Sequence, residues 1–297
     1  MLERVKYSKV MNRLSNEQRA SVIACLIEGN SIRSTVRMTG VSKKAVMRLL
    51  VECGDFCAEY QDRVFRNLKC SRIQVDEMWS FCYCKQKNVT EEISAGHVAG
   101  DVWLWSAIDA ETKLVPCWYV GARDAVAGTE FIKDLESRLA NRIQLTSDGH
   151  HVYVNAVIDA FADEVDYAQL VKYYGKESAD KTTQTRYSPA ACTGAEKVIR
   201  LGDPDPKHIS TSYVERHNLS VRMTVRRFTR LTNAFSKKIE NHCAAVALGY
   251  FAYNFIKINR TLRMTPAMAA QVTPRLWSVY DLVNAWDAYE REQKRAA

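Results

Sequence analysis

The chain has 297 residues, 47% hydrophobic and 26% charged, which excludes a mainly disordered polypeptide because apolar surface is ample to offset the entropy of ordering. No run approaches the roughly 18 apolar residues of a spanning helix. The net charge of +8 is segregated: residues 1–70 hold 13 basic and 7 acidic side chains, residues 71–170 hold 8 and 16, and the remainder holds 21 and 11, so a polyanion is attracted to the two ends and repelled by the middle.

In chain order, Ser15 is placed to cap a first helix with Val22, Ile23, Leu26 and Ile27 at helical spacing, ending at Gly29-Asn30. Ser31 caps a second, short helix. Gly40-Val41-Ser42 forms a tight turn, and a third helix runs from Lys43 to about Cys53. Helix, short helix, glycine turn, helix is the helix-turn-helix pattern. Its outer face offers Ser42, Lys43, Lys44 and Arg48 to DNA. Residues 59–70 read as a linker or connecting helix between this unit (1–58) and a second domain.

From residue 71 the period changes to alternation. Strands are predicted at Ile73–Phe81, Val102–Ile108 and Leu114–Val120, with a hairpin turn at 109–113. A helix at Asp124–Arg142, a strand at Ile143–Thr146, a helix at Val152–Phe161 and a fifth strand at Val165–Val171 come next. This order is that of an α+β, ribonuclease H-like domain with a mixed five-stranded sheet, here spanning 71–240. Residues 172–209 show no period and read as a long loop insertion. A helix begins near Ser212, a mostly apolar one covers Glu240–Ile258, and Thr265-Pro266 opens another, giving a helical extension over 241–297. The nine cysteines lack zinc-finger spacing and read as packing thiols in a reducing compartment. The charged N-terminus has no apolar signal core, so a cytoplasmic, nucleoid-associated protein is expected.

Three acids carry the chemistry. Asp76 is central in the first strand, where aspartate is disfavoured, Asp148 closes the fourth strand, and Glu215 lies in the first turns of the late helix. Brought together, their carboxylates suit two Mg²⁺ ions (Mn²⁺ being the alternative), an arrangement able to clamp both oxygens of an in-line phosphoryl transfer. Glu77 alternates onto the other face of its strand. Seven residues beyond Glu215, Arg222 returns to within about 20° of the same helix face, with Asn218 between them. Arg226, Arg227, Arg230, Lys237 and Lys238, with Phe228 and Phe235 interleaved, make a basic run suited to phosphates.

The segments Val75–Phe81, Thr146–Gly149, Thr211–Asn218, Arg226–Lys237, Tyr253–Phe255 and Thr265–Met268 resemble the DDE transposases of the insertion-sequence-one family over about residues 70–290. The resemblance implies a ribonuclease H-like catalytic domain behind a helix-turn-helix. It assigns Asp76, Asp148 and Glu215 as the metal-binding triad and Arg222 as the basic residue after the glutamate. It also implies double-stranded DNA (element ends and target) as substrate, no membrane association, and a homodimer or larger homo-oligomer to hold two ends. The alternatives are a structure-selective nuclease on the same fold, which cuts without joining, and a catalytically inactive DNA-binding regulator.

Overall fold

A computed structural model describes residues 13–175, 192–230 and 232–296. Three helices come first: α1 (Asn16–Ile27), α2 (Ile32–Thr39) and α3 (Lys43–Val64). Each N-terminus is closed by the serine before it. Ser15 accepts from the Gln18 amide while the Gln18 side chain returns to Ser15, a reciprocal capping box, and Ser31 and Ser42 accept from Ser34 and Ala45. Gly40 ends α2 in the left-handed region at φ +70°, which a glycine adopts without steric cost.

Helix α3 runs eleven residues beyond the expected end at Cys53, so residues 59–64 are its last turns. It continues because its inner side finds a partner: Gly54 lies so close to Ala244 that a Cβ there would stand 2.5 Å from the alanine's. Gln61, fully buried, donates to the Cys57 and Ala247 carbonyls.

The remaining elements are β1 (Arg72–Cys82), a short α4 (Glu91–Gly96), β2 (Gly100–Asp109), β3 (Trp118–Gly121), α5 (Ala125–Ser137), β4 (Ile143–Asp148), α6 (Val152–Phe161), β5 (Val165–Tyr174), β6 (Cys192–Leu201), α7 (Ser212–Thr224), α8 (Ile239–Phe251), α9 (Pro266–Ala269) and α10 (Val279–Ala296). The protein is therefore mixed α+β. Its sheet has six strands in the order β3-β2-β1-β4-β5-β6, with β4 and β5 parallel to β1 and the other pairs antiparallel.

Five strands were expected, and the sixth lies inside the span read as a loop insertion. Strand β6 is an edge strand whose residues are nearly all exposed, so no hydrophobic alternation marks it, and it is held by its backbone ladder to β5. Residues 176–191 of that expected loop lie outside the described residues. Two helix and strand limits also move. Helix α5 stops at Ser137, not Arg142, and β3 starts at Trp118, not Leu114.

Strand alternation sorts the helices. Trp105 of β2 faces α5 and α6, packing on Phe131 and Tyr153. Its neighbour Ser106 faces the other way and bonds the Tyr250 hydroxyl of α8 at 2.6 Å. Helices α7 and α8 cover this second face. Helix α10 returns to α1, where Arg19, 3% exposed, lies 3.6 Å over the Trp286 ring and bonds Asp287 and Glu290. Among the described residues no helix is long and apolar enough to cross a membrane, and the described cysteines are all free thiols.

Candidate active site

Asp76 is directly opposite Ser106 in the β1–β2 ladder and so belongs to the face under α7 and α8. The parallel register pairs Gln74 with Thr146, and two residues further along both strands bring Asp148 level with Asp76. Gln74 docks the covering helix: its side-chain oxygen accepts the backbone amides of Tyr213 (2.8 Å) and Val214 (3.1 Å), two of the unpaired donors at the start of α7. Held there, α7 sends the Asn218 amide to Asp76 Oδ2 at 2.7 Å. The other Asp76 oxygen accepts the Glu77 backbone amide at 2.9 Å, and Asp148 accepts the His150 amide at 2.9 Å.

Asp76, Asp148 and Glu77 each offer a carboxylate oxygen, all within 4.8 Å of one another. Two of the three expected acids thus meet, and the third member of this cluster is the residue assigned to the opposite face. Glu77 does leave β1 on the α5–α6 side. There Arg123 binds Glu77 Oε1 through Nε at 2.8 Å and Nη2 at 2.6 Å, and the Tyr153 hydroxyl donates to Oε2 at 2.9 Å. Asp148, at the very end of β4, is reached from both faces. The sequence signal for Glu77 was its place beside Asp76 in a strand; nothing local marked Arg123 or Tyr153 as its partners.

Burial, then the charges of Glu77 and Asp148, push the Asp76 carboxyl up to about 7. Burial and the Glu77 charge also raise Asp148, against the His150 amide, which lowers it. The cluster is an electrostatic cost without a cation and a hard-oxygen ligand set with one. Asn218 Oδ1, buried and without a partner among the described residues, belongs to the side chain that bonds Asp76.

Glu215 lies on α7 one turn before Asn218. Its charge acts on Asp76, but its carboxylate is ion-paired with Lys172 and hydrogen-bonded by Thr211. Lys172, two residues past the β5 position that pairs with Asp148, is on the same sheet face. Burial lowers the Lys172 pKa, but the bond and charge of Glu215, with the charges of Tyr174 and Asp76, together outweigh it and leave the pKa raised.

Arg222 is half-buried. Burial and the charge of Arg230 lower its pKa, and the Asp76 charge acts against them. Among the described residues it makes no ion pair.

The basic residues divide. Ser42 is exposed but spends its hydroxyl as the α3 cap, and Lys43, Lys44 and Arg48 are exposed, Arg48 beside Glu52 at 3.7 Å. Arg230, Lys237 and Lys238 are exposed on an irregular stretch, not on a continuation of the helix, because α7 ends at Thr224. Three residues expected at phosphates, Asn218, Arg226 and Arg227, are partly or wholly enclosed by the fold. Asn218 is buried and bonds Asp76. Arg227 is partly buried against Ser236 and His242, its pKa pushed down to about 10 by burial, and Arg226 has a buried Nε without a partner among the described residues.

No protein-family model and no curated protein matches the chain. Among solved structures, a cryo-EM structure of a piggyBac transposase synaptic complex with hairpin DNA aligns over 96% of this chain and 73% of the other at 10% identity and a TM-score of 0.44. The crystal structure of the Mos1 strand transfer complex aligns over 82% and 80% at 13% identity and 0.23, and a pre-cleavage Mos1 transpososome over 84% and 81% at 12% and 0.23. These are remote likenesses.

Proposed function

We propose that this chain is a DNA transposase of the DDE type, of the insertion-sequence-one kind that its sequence resembles. In this reading it binds element ends, cleaves a strand to leave a 3′-hydroxyl, and joins that hydroxyl to target DNA. The observation that carries the reading is the meeting of Asp76 and Asp148 on adjacent strands beneath a helix that presents Glu215, Asn218 and Arg222 on one face. An antiparallel meander followed by two parallel strands with intervening helices is the ribonuclease H-like order, with β6 as an added edge strand.

The residues fit divalent metal: clustered hard oxygens, a carboxyl raised by burial and by its acidic neighbours, and a buried amide oxygen without a partner among the described residues. Asp76 and Asp148 would hold Mg²⁺ or Mn²⁺, with Glu215 completing the set once parted from Lys172, while Glu77 stays with Arg123 and Tyr153. Two such ions supply Lewis-acid stabilisation of in-line phosphoryl transfer. Asn218 keeps the Asp76 carboxylate oriented. Arg222, uncommitted beside it, meets the phosphate at the site. In the N-terminal unit, α2 and α3 form a helix-turn-helix, with Lys43, Lys44 and Arg48 toward the duplex and Arg230, Lys237 and Lys238 extending the phosphate track. Holding two ends requires a homodimer or a larger assembly.

The test is a joining assay with pre-cleaved DNA ends taken from the sequence flanking the gene, a supercoiled plasmid target and Mg²⁺. Joined product is expected, and Asp148→Asn should abolish it with DNA binding intact. Cleavage without joining would make the protein a nuclease, and binding without either would make it a regulator.

A further inference from the structure

Strand β6 buries almost nothing of its own, yet one of its residues reaches the frame of the acidic cluster. The β5–β6 ladder slips at that residue. Tyr167 pairs with Leu201 and Ala168 with Ile199, so Arg200 is the extra residue of a β-bulge. A bulge re-aims its side chain out of the regular alternation. Here the guanidinium is aimed at Gln169 of β5, where its Nε donates to Oε1 at 2.9 Å.

Gln169 is 1% exposed and pairs across the ladder with Ser147 of β4. Its Nε2 donates to the Asp148 carbonyl at 2.9 Å and to the His150 carbonyl at 3.1 Å, the two ends of the turn that carries the Asp148 carboxylate. Ser147 adds a second donor to the Asp148 carbonyl at 2.8 Å and bonds the Tyr167 hydroxyl at 2.8 Å. Within the turn, the His150 amide donates back to Asp148 Oδ1 at 2.9 Å.

The chemistry of the partners fixes the amide. A guanidinium only donates and a carbonyl only accepts. Arg200 therefore holds the Gln169 oxygen outward, and the two carbonyls hold its NH₂ inward. Both ends select one orientation, and a flipped amide would set its oxygen against two carbonyl oxygens. Removing Arg200 leaves the grip to one end.

We propose that Gln169 and Arg200 are positioning residues for the metal site: the bulge in β6 aims Arg200 at Gln169, and Gln169 clamps the turn from Asp148 to His150 so that the Asp148 carboxylate stays facing Asp76. The proposal rests on the reading of Asp76 and Asp148 as metal ligands. Groups that orient a ligand from behind are typically worth about 10–100-fold in metal affinity. The edge strand thereby has a task that its exposed side chains do not announce.

Calorimetric titration of the full chain with Mg²⁺ tests this, with hydrogen exchange of the segment 147–151 in chelator as the second readout. Gln169→Leu should weaken Mg²⁺ binding about tenfold or more. Arg200→Ala should weaken it roughly threefold or more, being one step further from the ligand, and Arg200→Lys, which keeps a donor, should recover part of the loss. The control is Tyr173→Phe, which removes another bond of the same ladder, to Glu196 at 2.5 Å, and should leave Mg²⁺ affinity unchanged. Arg200 is exposed, so its variants stand even where Gln169→Leu fails to fold. Mg²⁺ affinity in Arg200→Ala equal to the parent's, or weakened as much by Tyr173→Phe, overturns the proposal. A parent chain that binds Mg²⁺ but joins no DNA loses the transposase reading and leaves this one standing. If the parent takes up no Mg²⁺, exchange decides: faster exchange of 147–151 in Arg200→Ala than in Tyr173→Phe upholds the clamp, and equal exchange overturns it.

Discussion

Asp76 and Glu77 are neighbours on one strand and meet opposite circumstances. On the α5–α6 face, Glu77 is buried and fully satisfied by the fork of Arg123 and the hydroxyl of Tyr153. On the α7–α8 face, Asp76 has two amide donors and, among the described residues, no bonded cation, and its carboxyl is raised to about 7. The difference teaches that proximity of acids does not by itself make a metal site. A carboxylate already neutralised by a guanidinium is structural, whereas one left with amides alone is poised for a cation from outside.

That contrast breaks if the two faces respond alike. The largest effect is expected for Asp76→Asn and Asp148→Asn, which should reduce strand cleavage beyond the ~100-fold typical of residues lying behind a metal ligand, with the fold intact by circular dichroism. Asn218→Ala, removing such a supporting group, should fall within about 10–100-fold.

On the other face, Arg123→Ala strands a buried carboxylate and should cost roughly 3–5 kcal/mol in denaturant unfolding; adding Glu77→Gln should restore much of it. If Glu77→Gln alone removes cleavage at unchanged stability, Glu77 is a metal ligand and the contrast fails.

A pH titration sharpens the same point. A carboxyl raised in the folded state contributes stability that is full below its ordinary value, 3.8, and lost as pH rises through about 7. In chelator the protein should therefore weaken between pH 4 and 8. Asp76→Asn should remove up to roughly 4 kcal/mol of that slope, while Asp148, shifted in the same direction, retains a part. Mg²⁺ should stabilise the parent chain more at pH 8 than at pH 5, and Asp76→Asn hardly at all. A Tm series that rises with pH in chelator would refute this. The smallest effect belongs to Lys172→Ala, which removes a partly exposed ion pair of ~1 kcal/mol or less and frees Glu215. Mg²⁺ affinity by calorimetry should rise a few-fold.

What the chain spelled out on its own was short-range. Ser15, Ser31, Ser42 and Thr265 each cap the helix that begins after them, and Val152–Phe161 and the alternation around β1 and β2 mark elements directly, because a cap or a hydrophobic period acts within a few residues. Asp76 and Asp148 were visible for the same reason, as an acid inside a strand and an acid at a strand's end.

Tertiary structure decided the rest. Helix α3 outlasts its apolar period because Gln61 finds carbonyls on its own helix and on α8, and β6 exists because β5 supplies a ladder, with no buried face to announce it. The partner of each acid was likewise set by which elements the sheet's alternation brings opposite one another: Arg123 and Tyr153 for Glu77, Asn218 for Asp76, Lys172 for Glu215. Charge pairing falls off over a few ångströms of space, and nothing in the order of residues along the chain records that distance.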